Sequence, residues 1–178
     1  MRQTRTLPAG RLVIDRARGA DGDDVLELYL GVLAEERWFI ASPDELLLDG
    51  EAQGAYITWL NRQDNGVFLT GRLGGELVGA LKITGGELRR ARHVGRLEVW
   101  VGERWRGAGV GLALLEAGVR WAEENPRLSK LSLCVFDDNP RAIHLYERLG
   151  FVVEGHRQGE YRERDGRLRG DVLMARAV

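Results

Sequence analysis

Arg106-Gly107-Ala108-Gly109-Val110-Gly111 is the stretch of this chain best suited to hold a large anion. It follows an apolar, strand-like run and opens a helical pattern. Glycine has no Cβ, so the backbone can come close to a bulky group. A helix start offers unpaired N–H groups and the positive end of a dipole. A pyrophosphate suits that chemistry. Two well-known phosphate loops do not fit. A dinucleotide loop reads G-x-G-x-x-G, but here the third glycine comes too early and Leu112 stands in its place. A P-loop needs a lysine after its last glycine, and none follows. What remains is R-x-x-G-x-G, which taken alone also reads as a glycine-rich helix start without a ligand.

Downstream comes Asn139-Pro140-Arg141-Ala142-Ile143-His144-Leu145-Tyr146-Glu147-Arg148-Leu149-Gly150-Phe151. Asp138 is expected to begin this helix. Ala142, Leu145, Tyr146 and Leu149 share one face, and Gly150 suits the left-handed residue that ends it. Together the two segments resemble the acyl-CoA pyrophosphate loop and the N-x-x-A-x-x-L-Y-x-x-x-G-F helix of the GNAT family of N-acetyltransferases. Spacing, order and the strand before each segment agree from about Leu97 to Phe151. The regions upstream and downstream fit the family more loosely.

The resemblance implies acetyl-CoA as co-substrate and a primary amine as acceptor, either a small-molecule amine or a protein N-terminus or lysine, acetylated by direct attack in a ternary complex. It implies that the backbone of Val99, Trp100 and Val101 pairs with the pantetheine arm. The amides of Arg106, Gly107, Ala108, Gly109, Val110 and Gly111 would hold the pyrophosphate. Asn139 would contact the cofactor near its pantetheine end, and Tyr146 would lie near its sulfur. Arg141 reads either as a phosphate contact or as part of a solvated helix face. GNAT relatives are often dimers, so a homodimer is among the implied partners.

Acyl transfer to an amine sets two physical demands. An alkyl amine of pKa ~10.4 is almost wholly protonated at neutral pH, and making it neutral costs about 4–5 kcal/mol. A carboxylate, acting directly or through water, can take that proton. The departing thiolate needs a proton or a hydrogen bond, and tyrosine, with a pKa near 10, can give one. Tyr146 is the candidate acid, against a reading as an ordinary core tyrosine. Glu98 is the candidate base. It stands in the otherwise apolar Leu97-Glu98-Val99-Trp100-Val101, where an unpaired buried carboxylate would be costly. It therefore either faces the acceptor cleft or pairs with an arginine such as Arg96. Glu35, Glu36, Trp38 and Phe39 suit a cationic acceptor through charge and cation–π contact. They equally suit a solvated helix end over a hydrophobic plug.

The elements that must position these groups follow from periodicity. Residues 1–10 read as a frayed N-terminal extension, with one domain over 11–178. Leu12-Val13-Ile14 is a short strand. Asp21 begins a helix with Val25, Leu28, Tyr29, Val32 and Leu33 on one face. Ser42-Pro43-Asp44-Glu45 is a capping box that starts a second helix, whose apolar face runs through Leu48, Ala52, Ala55, Tyr56 and Trp59. Strands at 66–72 and 75–84 flank a turn at Leu73-Gly74, and a further strand covers Arg96 to Val101. A helix runs from about Gly109 to Glu124, with Val110, Leu114, Ala117 and Trp121 on one side. Leu128 to Phe136 reads as a mid-sheet strand. Phe151 to Gly155 and Leu168 to Ala175 close the pattern around a turn at Asp165-Gly166. The expected fold is α/β: a GNAT-type mixed sheet of about seven strands flanked by about four helices.

The 178 residues suit a single domain, and 44% hydrophobic content supports a core. A net charge of −1 argues against a general basic coat for nucleic acid. Cys134 is the only cysteine; it is expected to be a small core residue, and no internal disulfide is available to it. His93, His144 and His156 are scattered, so no metal site is expected. No signal-type segment or long apolar run stands out, so a cytoplasmic protein with no membrane partner is expected. Two other classes stay open. One is a non-catalytic acyl-CoA-binding module. The other is an RNA-contacting protein using the basic stretch from Arg89 to Arg96, which otherwise reads as a solvated connection.

Overall fold

Alternating apolar side chains build the sheet. Leu12 and Ile14, Val67 and Leu69, and Leu81 and Ile83 lie on one face and are all buried, as the two-residue period of a strand requires. The computed structural model describes residues 2–46 and 49–178. Its strands are β1 (Gln3–Leu7), β2 (Gly10–Arg16), β3 (Val67–Leu73), β4 (Glu76–Gly85), β5 (Val94–Val101), β6 (Lys130–Phe136), β7 (Val152–Arg162) and β8 (Leu168–Ala177). Its α-helices are α1 (Gly22–Leu33), α2 (Gly50–Arg62), α3 (Val110–Glu123) and α4 (Pro140–Arg148). The eight strands form one sheet in the order β1-β2-β3-β4-β5-β6-β8-β7. Its one parallel pair is β5 with β6; the other neighbours run antiparallel.

Helices cover both faces, which gives two apolar clusters. One gathers Leu114, Leu115 and Ala117 of α3 and Tyr146 of α4 against Leu69, Leu81, Leu97 and Leu131. The other gathers Val25 and Val32 of α1 and Ile57 and Leu60 of α2 against Phe68, Ala80 and Trp100. Neighbouring residues of β5 therefore serve opposite faces: Leu97 belongs to the α3 side and Trp100 to the α1 side.

Several expectations need correction. Residues 3–7 are not frayed; they form β1, paired antiparallel with β2, which raises the strand count from about seven to eight. The capping box at Ser42 exists, but it caps a single 3-10 turn, Pro43–Glu45. Helix α2 starts at Gly50, where the Asp49 carboxylate accepts from the Ala52 amide at 2.7 Å. Its inner face carries Gly54, Ile57 and Leu60, whereas Ala52, Ala55 and Trp59 are exposed. Glycine-to-glycine contact sets that face: a Cβ on Gly22 would come 2.2 Å from the Gly50 carbonyl oxygen. The helices cross where neither carries a side chain, and this turns the larger Trp59 outward. Leu48 lies outside the described residues. The β3–β4 turn is Gly74-Gly75, both at positive φ, rather than Leu73-Gly74.

Candidate active site

Strands β5 and β6 are neighbours for only part of their length. Their pairing runs through Val94–Lys130, Gly95–Leu131 and Arg96–Ser132 and ends there. β5 stays with β4 as far as Val101, and β6 stays with β8 as far as Phe136, so the two halves of the sheet part. Among the described residues the β6-facing edge of β5 beyond Arg96 thus has no strand partner; Arg106 takes the Val101 carbonyl, and the backbone groups that remain need water or a ligand. A cleft of about 800 Å³ opens at this parting. Leu97 to Val101 line it together with Gly107, Gly109, Asn139 and Tyr146.

The cofactor-side expectations meet here. After β5 the chain makes a 3-10 turn, Glu103–Trp105, and enters α3 through Gly107 (φ 83°) and Gly109 (φ 90°). Those angles favour glycine, and a Cβ at Gly109 would also stand 3.2 Å from Leu7 of β1. Among the described residues the amides of Gly107, Ala108, Gly109, Val110, Gly111 and Leu112 donate to no protein acceptor; the first helical bond of α3 runs from Ala113 to Gly109. The Arg106 amide differs, for it donates to the Glu103 carbonyl at 3.1 Å. Its side chain turns the other way. The Nε–H donates to the Val101 carbonyl at 3.0 Å, and the two terminal nitrogens grip Glu35 at 2.5 and 2.6 Å. Arg141 reaches across from α4, its guanidinium 3.3 Å from where a Gly107 Cβ would lie. Asn139 caps α4, its side-chain oxygen accepting from the Ala142 amide at 3.1 Å. Trp100 offers neither group to the open edge. Its backbone faces β4, in step with the Gly102 amide that donates to the Val78 carbonyl, and its indole packs against Tyr29, Phe39 and Phe68 on the α1 side. Of Val99, Trp100 and Val101, only the two valines therefore have backbone on that edge.

The two catalytic candidates approach the parting from opposite faces. Tyr146, on the inner face of α4, is buried against Phe151 with ring centroids 5.9 Å apart. Burial pushes its hydroxyl up to about 12, so it stays protonated through neutral pH. Glu98 is on the α1 face. Its ion-pair partner is Lys82 on the adjacent strand, at 3.2 Å, rather than Arg96.

Cys134 is exposed and lines the cleft, not the core. The residues buried on the α3 side are Leu131, Leu133 and Val135, which leaves the alternate positions for the other face. Desolvation by the cleft walls raises its thiol pKa, and the Asp171 charge adds to that. Asp171 is a wall the sequence reading missed. It is 2% exposed and takes hydrogen bonds from Arg157 at 2.6 and 2.9 Å and from Tyr161 at 2.9 Å. Burial opposes its ionisation, yet Arg157 and Tyr161 prevail and hold it below the usual carboxylate range. A carboxylate in an apolar strand is the signal that marked Glu98, and Asp171-Val172-Leu173-Met174 carries it too.

The acidic group after α1 is already engaged. Glu35 holds Arg106 and accepts from the Trp38 indole at 2.6 Å, and Glu36 pairs with Arg164 at 3.1 Å. The basic connection from Arg89 to His93 is an exposed turn, with Arg92 bound to Asp64 at 2.6 Å. Among the described residues no His, Cys, Asp and Glu grouping could hold a metal, and no helix is long and apolar enough to cross a membrane.

The family model described as the acetyltransferase (GNAT) family matches residues 31–151, a span holding the parted strands, the glycine loop and α4. The chain belongs to the GNAT family. It is an acyltransferase by that membership, and its mixed sheet with four helices is the GNAT fold. A GNAT acetyltransferase from Streptococcus pneumoniae is 29% identical, with a TM-score of 0.90 over 94% of this chain and 99% of that one. A ribosomal-protein-alanine N-acetyltransferase from Brucella melitensis is 24% identical, with a TM-score of 0.82 over 93% of this chain and 99% of that one. The yncA putative acetyltransferase from Salmonella typhimurium, solved with acetyl-CoA, is 18% identical, with a TM-score of 0.83 over 93% of each chain. No curated protein matches this chain in sequence.

Proposed function

We propose that this GNAT protein transfers an acetyl group from acetyl-CoA to a primary amine within a ternary complex. One observation carries the reading. Unengaged amides from Gly107 to Leu112 border the α3 side of a strand parting that opens, on its α1 side, onto Glu98. A long thioester laid along β5 would place its diphosphate on those amides and its acyl carbon in the parting. Its pantetheine amides would complete the free edge at Val99 and the Val101 amide, while Arg106 keeps the Val101 carbonyl. Arg141 would close over the diphosphate opposite Gly107.

Glu98 first takes one proton from the acceptor's ammonium, directly or through water, and the freed lone pair attacks the thioester carbonyl from the α1 side. The carbon–sulfur bond then breaks, and Tyr146 supplies a hydrogen bond to the departing sulfur. Complete transfer of its proton to a thiolate of pKa ~8.5 would be uphill by about 5 kcal/mol at 1.36 kcal/mol per unit. Its part is therefore to steady developing charge, and the thiol takes its final proton from the solvent or from the nitrogen of the tetrahedral adduct, which must shed a second proton to become the amide. The raised thiol pKa of Cys134 makes it a poor nucleophile and supports direct attack over an acetylated enzyme.

The test is release of free thiol from acetyl-CoA with a broad amine panel, with both substrates varied. Intersecting double-reciprocal lines and acetylated amine in the product agree with the proposal. Tight CoA binding without turnover of any amine assigns the protein to the binding-module class instead.

A further inference from the structure

The acceptor half of the cleft is poor in available negative charge. Glu98 is paired with Lys82, Asp171 with Arg157 and Tyr161, and Glu35 with Arg106 and Trp38. Besides Glu98, whose second carboxylate oxygen is left for the amine, three groups that line this half are hydrogen-bond donors without a protein partner among the described residues. The Trp100 indole N–H is buried and unbonded. The Tyr29 hydroxyl makes no hydrogen bond and is raised to about 12, by burial first and by the Glu98 charge second, so it keeps its proton. Arg96 is a full positive charge that lines the cleft with no acidic partner.

The surroundings of Arg96 favour an anion. Its cross-strand partners are Thr84 of β4 and Ser132 of β6, so its same-face neighbours on both strands are hydroxyls. Along β5 the next residue on that face is Glu98, about 7 Å away at two strand steps. Arg96, Glu98 and Cys134 all line this one cleft. We propose that the acceptor is an amine that also carries an anionic group such as a carboxylate, and that Arg96, flanked by Thr84 and Ser132, binds that group while the amine lies at Glu98. This rests on the transferase reading. It also replaces the cationic-acceptor expectation drawn from Glu35 and Glu36, because both are neutralised within the protein.

The experiment uses twin amines that differ only in the anionic group, for example amino acids beside their amides and their decarboxylated amines. Acetyl-CoA is saturating, and kcat/KM is measured for wild type and Arg96→Gln. Charge-assisted hydrogen bonds predict that the anionic twin is favoured by about 10–100-fold, chiefly through KM. In Arg96→Gln that ratio should fall toward one, while Arg96→Lys retains part of it. A general loss of folding would lower both twins together and leave the ratio intact. A ratio near one in wild type, or an unchanged ratio in Arg96→Gln, overturns the inference. If no amine of either kind is acetylated although CoA binds, the transferase reading falls. The binding of the same carboxylates to CoA-saturated protein then decides about Arg96. Weaker binding in Arg96→Gln supports the anion site, and equal binding overturns it.

Discussion

Arg106 and Glu35 form a two-pronged ion pair, at 2.5 and 2.6 Å, that fastens the residue leading into the glycine loop to the segment just after α1. The Arg106 guanidinium also lies over the Trp38 ring, 5.2 Å from its centroid, and Trp38 itself donates to Glu35. The entry to the glycine loop and the segment after α1 are therefore tied together by an ion pair, a cation–π contact and a hydrogen bond.

Glu35→Gln should destabilise the protein by about 2 kcal/mol, since it leaves a partly buried guanidinium without its carboxylate. The hydrogen bond from Arg106 holds the Glu35 carboxyl below its usual 4.5. Its contribution is thus complete above about pH 4.5 and is lost as the pH falls below that through the lower folded-state value. Urea melts at pH 7 should separate variant from wild type, and melts in strong acid should bring them together. An equal gap at both pH values would show that the pair does not act through charge.

Gly109→Asp should weaken CoA binding by more than about 10-fold, because it adds strain at φ 90° and a negative charge beside the free amides. Calorimetry with CoA checks this. Gly109→Ala separates the causes, since it shares the strain without the charge. Full affinity in the aspartate variant would remove the diphosphate from this loop.

Tyr146→Phe should lower kcat by about 10–100-fold with little change in the KM for acetyl-CoA. With its hydroxyl at about 12, Tyr146 should also cause no fall in wild-type kcat between pH 8 and 10. A wild-type rate that drops in that range with a Tyr146-dependent midpoint would contradict the environment described for it.

Cys134→Ser should keep at least half of the wild-type kcat, and intact-mass spectra of wild type under turnover should show no acetylated protein. A stoichiometric acetyl adduct lost in the serine variant would replace direct attack with a covalent route.

The local geometry of this GNAT protein's candidate site was legible wherever it depends on consecutive residues. The glycines at 107 and 109, the Asn139 cap and Tyr146 on a helix face are local patterns, because backbone freedom and a 3.6-residue period are properties of short segments. Most strands were legible for the same reason. Contacts between distant segments were not. Nothing near Glu98 in the chain names Lys82 as its partner, for strand register brings them together. The outward turn of Trp59 depends on glycines of two helices meeting, and the exposure of Cys134 depends on which sheet face its strand gives to the cleft. Charge balance is the most tertiary property of all. Glu35 and Glu36 read as an acidic mouth until Arg106 and Arg164 are folded onto them, and Arg96 reads as a partner for Glu98 until Lys82 takes that place and its own cross-strand neighbours prove to be hydroxyls. A sum of charges over a cleft depends on every segment that reaches it, so only the folded chain decides it.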